Sequence, residues 1–114
     1  MLRALLVVLL ALPCAAEPVA LHLSARAEKH VREGHFAGGK KSRGKSLFNS
    51  DADLSKLLKT AEKSKARREK NGRDKRVTDA GGMIGTDGRS GRPVRTYVVI
   101  AEPDGEVVTM YPGR

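Results

Sequence analysis

The last stretch of the chain contains Thr109-x-Tyr111, two hydroxyl side chains two residues apart. On an extended strand such residues share a face, so both hydroxyls can donate to one anionic group. Arg95, on the strand before, adds a cation nearby. Fixed donors of this kind stabilise charge developing on a phosphate; the same spacing equally describes two ordinary solvent-facing strand residues. His30 and His35 offer a second kind of chemistry, because imidazole is the side chain that exchanges protons near neutral pH. A pair of them can act as base and acid if a turn brings both to one cleft, or they can be two surface histidines in a basic segment. His22 lies before the first expected helix and has no evident chemical role. Lys45-Ser46 follows Gly44 in a Gly/Lys-rich loop and is a candidate phosphate contact. Gly39 to Ser46 also fits the nucleotide-binding pattern G-x-x-x-x-G-K-S, but that loop must follow a buried parallel strand. Glu33 to Gly38 is not one, so the match is attributed to chance.

The elements expected to position these groups follow from periodicity and punctuation. Ser24 is a good N-cap, Ala27 and Val31 lie four apart, and Gly34 sits where a helix would end, predicting a helix over about 24–33. His30 then lies on its last turn and His35 just beyond. Leu54, Leu57, Leu58 and Ala61 follow helical spacing after Asn49 or Ser50 as cap, with Asp51 and Asp53 in the first turn. The apolar face then fades, and Glu62 to Lys70 is expected as a solvated extension stopped by Asn71-Gly72. Beyond it, Arg76–Asp79 and Met83–Gly85 read as short strands. Val94–Ala101 and Glu106–Tyr111 flank Pro103-Asp104-Gly105, which predicts a hairpin with a three-residue loop and Glu102 opposite Glu106. That register pairs Ile100 with Val108 and Val98 with Met110 as the core face. Val99 with Thr109 and Tyr97 with Tyr111 form the other. The expected class is α+β: two N-terminal helices on a small antiparallel sheet of about four strands, ending in a C-terminal β-hairpin.

Composition limits what such a domain can do. Met1-Leu2-Arg3, the apolar run Ala4 to Leu12, Pro13 and Cys14-Ala15-Ala16 form the three-part pattern of a secretory leader. The run is nine residues, too short for a membrane span of about 20. Residues 1–16 are therefore expected to be removed after Ala16, 17–25 to lead into the first helix, and 26–114 to be the folded domain, secreted or periplasmic and without stable membrane insertion. The only cysteine lies in the leader, so disulfides, thiol nucleophiles and thiolate metal sites are excluded from the remainder. No spacing suits a metal site, and no cofactor is expected. Residues 26–76 hold 17 Lys/Arg against 7 Asp/Glu, whereas residues 77–114 hold 4 against 5. A basic half beside a neutral one points to a polyanion partner, most simply nucleic acid. With no Trp, two Phe and two Tyr, a single-strand binder built on stacked aromatics is excluded.

Taken in order, His30-Val31-x-x-Gly34-His35, Gly44-Lys45-Ser46-x-Phe48, a helix, Gly82-x-Ile84-Gly85 and Gly105-x-Val107-Val108-Thr109-x-Tyr111-Pro112 resemble bacterial polymorphic-toxin ribonucleases of the Barnase–EndoU–colicin–RelE fold group. The resemblance spans about residues 26–112. It implies RNA on an exposed sheet face and metal-independent cleavage by the 2′-hydroxyl. His30 and His35 would serve as the base and acid in either order, Lys45 and Ser46 would bind phosphate, and Thr109 and Tyr111 would position it. Two departures stand out. EndoU histidines usually lie further apart, and ribonuclease-A-like contact-inhibition toxins, which also end in Thr-x-Tyr-Pro, use one His with an Arg. Arg32, Arg92 or Arg95 would supply that Arg. An immunity-type inhibitor is an implied partner, and a monomer is expected. Beside this stands the plainer alternative of an exported, non-catalytic polyanion-binding protein.

Overall fold

The computed structural model describes residues 19–114; the expected leader, its cleavage point and the start of the linker lie outside them. The described residues are α+β, with two helices and two antiparallel sheets. Helix α1 spans Ala25–His35. Ser24, in extended conformation, caps it by accepting the Ala27 N–H on its hydroxyl at 3.1 Å. Ala27, Val31 and Gly34 form its buried face. The helix runs through Gly34 instead of stopping there, and the left-handed residue that turns the chain is Gly38 at φ 84°. His35 therefore sits inside the last turn of α1.

Helix α2 spans Leu54–Ala61, with Asp53 as its cap, accepting the Lys56 N–H at 3.2 Å. The cap thus falls later than Asn49 or Ser50, and Asp51 lies before the helix. Leu54, Leu57, Leu58 and Ala61 are buried as their spacing requires.

The expected helical extension is absent. After Ala61 the chain leaves the helix and forms β2 (Arg67–Arg68), a hairpin partner of β3 (Asp74–Asp79). An extension over Glu62–Lys70 would have had no apolar face to bury, and isolated helical turns are marginal in water. As a hairpin the same residues gain sheet hydrogen bonds and the Arg68–Asp74 ion pair at 2.6 Å. Asn71-Gly72 is the turn of this hairpin, not a helix stop. Glu69 and Arg73 close a three-residue loop with Gly72 at φ 87°. Glu102 and Glu106 close the C-terminal hairpin in the same way with Gly105 at φ 98°. Both glycines occupy the left-handed position that a side chain would strain.

β6 (Thr96–Ala101) and β7 (Val107–Pro112) complete a four-stranded sheet in the order β2-β3-β6-β7, antiparallel throughout. A smaller sheet joins β1 (Leu47–Phe48), β4 (Gly85–Thr86) and β5 (Pro93–Val94). The β6–β7 register differs from expectation. Ala101 pairs with Val107, but Val108 is an extra residue, and beyond it Ile100 pairs with Thr109, Val99 with Met110, Val98 with Tyr111 and Tyr97 with Pro112. This β-bulge shifts every later pair by one. The core face therefore carries Tyr97, Val99, Ala101, Val107 and Met110, packed with Val31, Phe36, Phe48 and the α2 leucines. Burying a side chain of this size contributes about 1.5–3 kcal/mol. The Tyr97 hydroxyl donates to the Leu57 carbonyl at 2.6 Å, tying β6 to α2, and burial pushes its pKa up to about 12. Among the described residues no helix is long and apolar enough to cross a membrane.

Candidate functional site

The bulge leaves Thr109 and Tyr111 on the face of the large sheet opposite the core, beside Ile100 and Val98. On β3 the alternation is clear: Asp74, Arg76 and Thr78 are buried on the core face, whereas Lys75, Val77 and Asp79 line the open one. Two rows cross this open face, Lys75–Ile100–Thr109 and Val77–Val98–Tyr111.

Helix α1 lies along the β7 edge. Its Val31 enters the core, and the neighbouring His30 reaches Thr109, Nε2 to Oγ1 at 3.2 Å. The His30 and His35 rings meet edge-on with centroids 5.8 Å apart, and the His35 and Tyr111 centroids are also 5.8 Å apart. Two residues of one strand and two of one helix thus close into a cluster of four.

The tautomer of His35 follows from its partner. Its Nδ1 lies 3.1 Å from the Ser46 carbonyl, which can only accept, so Nδ1 carries the hydrogen and Nε2 keeps a lone pair. The pKa of His35 is lowered, first by burial; the bond to the Ser46 carbonyl opposes this, and the charges of His30 and Lys45 reinforce it. The Tyr111 hydroxyl is shifted upward by burial and by the Glu69 carboxylate, which keeps it a donor.

Lys45 passes over α1: its Nζ lies 3.4 Å from where a Cβ on Gly34 would stand. A cavity of about 250 Å³ beside His30 is bordered by Arg26, Lys29, Lys41, Lys45 and Glu33. Ser46 works as scaffold on both its acceptors. Its carbonyl orients His35, and its hydroxyl accepts the Gly88 N–H at 2.8 Å. A Cβ at position 88 would stand 2.7 Å from the Ser46 backbone nitrogen, so the two loops approach this closely only because residue 88 is glycine.

The structure therefore gathers His30, His35, Thr109, Tyr111 and Lys45. It does not bring in the two arginines. Arg95 pairs with Asp79 at 3.1 Å, and Arg92 is exposed on the β4–β5 turn, its N–H donated to the Ser90 hydroxyl. Glu69 and Lys75, which reach the open face through the β2–β3 hairpin, were missed by sequence reasoning. Their signal was Asn71-Gly72, read as the end of a helix. Among the described residues no group of three or more His, Cys, Asp or Glu side chains is arranged to hold a metal ion. No family model matches the chain, and no curated protein matches it significantly.

Proposed function

We propose that the chain is an endoribonuclease of the bacterial toxin type, belonging to the Barnase–EndoU–colicin–RelE fold group, with the helices backing the sheet and RNA on its open face. The observation that carries this reading is the closed His30–Thr109–Tyr111–His35 cluster, in which the two imidazoles differ in burial and in hydrogen bonding. Nε2 of His35, unprotonated because burial lowers its pKa, takes the proton of a ribose 2′-hydroxyl. The 2′-oxygen attacks the adjacent phosphorus and the P–O5′ bond breaks. His30, as imidazolium, donates its proton to the departing 5′-oxygen, leaving a 2′,3′-cyclic phosphate. General acid and base of this kind each contribute about 10²- to 10⁴-fold. The Tyr111 hydroxyl and the Lys45 ammonium hold the phosphate oxygens, and Thr109 orients His30. Export after removal of residues 1–16, a monomeric state and an inhibitory protein partner belong to the same proposal.

The test is incubation of residues 17–114 with total RNA and with DNA in EDTA. The expected result is cleavage of RNA only, to cyclic-phosphate ends, and loss of cleavage in His30→Ala, His35→Ala and Thr109→Ala. Intact RNA with salt-sensitive retention of RNA and DNA alike would replace this reading with polyanion binding through the basic 26–76 segment.

A further inference from the structure

Arg76 stands on the opposite side of the large sheet from the histidines. It is 5% exposed, in register with Val99 on the core face of β3. Its polar neighbours each make a hydrogen bond elsewhere. Asp74 accepts from Arg68 at 2.6 Å, Thr78 and Ser64 share a hydrogen bond at 2.7 Å, and Glu62 accepts the Leu21 N–H at 2.8 Å. Arg76 is the exception: its Nε is buried with no hydrogen-bond partner, and among the described residues it forms no ion pair.

A guanidinium never loses its charge in a protein. Burying one without an acceptor is among the costliest arrangements a fold can hold, whereas a buried charge with a well-placed counter-ion is tolerated. The surroundings supply room for that counter-ion. Arg76 lines a cavity of about 620 Å³ together with Lys63, Lys65, Arg68, Ser64 and the two carboxylates Glu62 and Asp74. Among the described residues, four cations against two engaged carboxylates leave the cavity positive.

We infer that this cavity is a binding site for a small oxyanion of the phosphate type, held by the Arg76 guanidinium. The planar fork of Arg76 matches two oxygens of a tetrahedral anion, which a single ammonium does not. Free inorganic phosphate and the phosphate group of a mononucleotide present the same oxygens. The site is independent of the proposed nuclease chemistry, since it shares no residue with it.

The test is thermal unfolding of the full chain in phosphate-free buffer, with millimolar inorganic phosphate or adenosine 5′-monophosphate added at constant ionic strength. A ligand that binds only the folded state raises the midpoint with the logarithm of its concentration. A Lys45→Ala/Tyr111→Phe variant, which lacks the phosphate contacts of the proposed nuclease site, is expected to keep a response, and the same variant with Arg76→Met added to lose it. Response to phosphate identifies the free ion as ligand; response to the mononucleotide alone identifies the monoester. Arg76→Lys keeps the charge without the fork and is expected to respond more weakly. In the absence of anion, Arg76→Met should melt no lower than wild type, because it removes a buried charge whose Nε has no hydrogen-bond partner. No response in the Lys45→Ala/Tyr111→Phe variant overturns the proposal, and so does an equal response once Arg76→Met is added to it, which would mark general salting-out.

Discussion

Gly34→Ala separates folding from function in one substitution. Gly34 lies inside α1 with helical backbone, and among the described residues outside that turn of the helix only the Lys45 Nζ comes within 4 Å of a Cβ built there, at 3.4 Å. Replacing a helical glycine by alanine contributes about 1 kcal/mol in a helix interior. So near the C-terminal end about half of that is retained, and the methyl group meets no backbone. For a domain near 100 residues, a gain of about 0.5–1 kcal/mol raises the unfolding midpoint by roughly 2–8 °C. The same methyl occupies the space beside the Lys45 ammonium, which is the free end of a flexible side chain and swings away. If Lys45 holds the phosphate, a displacement of about 1 Å costs on the order of 10-fold in kcat/KM, within the range for a misplaced charged contact. The assay is thermal unfolding beside steady-state cleavage of a fluorescent oligoribonucleotide, carried out on wild type, Gly34→Ala, Lys45→Ala and the double variant. In the Lys45→Ala background the activity effect of Gly34→Ala should vanish while the stability gain remains. A destabilised Gly34→Ala refutes the packing argument. An activity loss of equal size in both backgrounds refutes the role given to Lys45.

Two further outcomes follow from charge. His35 has a folded pKa below its unfolded value of 6.5, so below that value the unfolded chain binds the extra proton and stability falls as pH drops from 6.5 toward the folded pKa, while above 6.5 it is flat. The difference in midpoint between wild type and His35→Asn should therefore be constant above pH 7 and shrink on acidification, and the acid limb of kcat/KM should lie below pH 6.5; a difference that grows at low pH contradicts the burial of this imidazole. Arg26 and Lys29 border the cavity beside His30, so Arg26→Ala/Lys29→Ala should lower kcat/KM about 10-fold on a six-nucleotide RNA, with a shallower salt slope, and change it less than twofold on a dinucleoside monophosphate. Equal losses on both substrates would place these residues at the reacting phosphate instead.

The strongest local signals were legible in the sequence. Ser24 caps α1, the Leu54-Leu57-Leu58-Ala61 face is buried, and Pro103-Asp104-Gly105 forms its three-residue loop with Glu102 opposite Glu106. What failed depended on tertiary competition. Gly34 resembles a helix terminator, but beyond it Lys41 donates its N–H to the Glu33 carbonyl at 2.9 Å and Phe36 packs against Phe48. These contacts keep the last turn helical. Lys63 to Lys70 is rich in good helix formers, yet a helix there has nothing to pack on, while β3 offers a free edge. The closeness of His30 to Thr109 spans 79 positions. Spacing within the sequence cannot encode a meeting of that kind; only packing of α1 against β7 produces it.

The bulge at Val108 is the clearest case of a local detail deciding the site. Every residue of β6 from Tyr97 to Ala101 is apolar, so that strand does not announce which side faces the core. β7 must decide, and its buried residues are Val107, Met110 and Pro112, a spacing of three and then two. No regular strand puts those three on one face, because strict alternation would place Val107 with Thr109 and Tyr111. An extra residue between Val107 and Thr109 resolves the conflict: Val107 stays in the core at the hairpin end, Met110 enters it beside Val99, and the two hydroxyls turn outward together. In the unbulged register Thr109 would stand opposite Val99, on the core face and away from the open one. The one-residue irregularity thus satisfies the core and the open face at once, and the meeting of His30 with Thr109 depends on it.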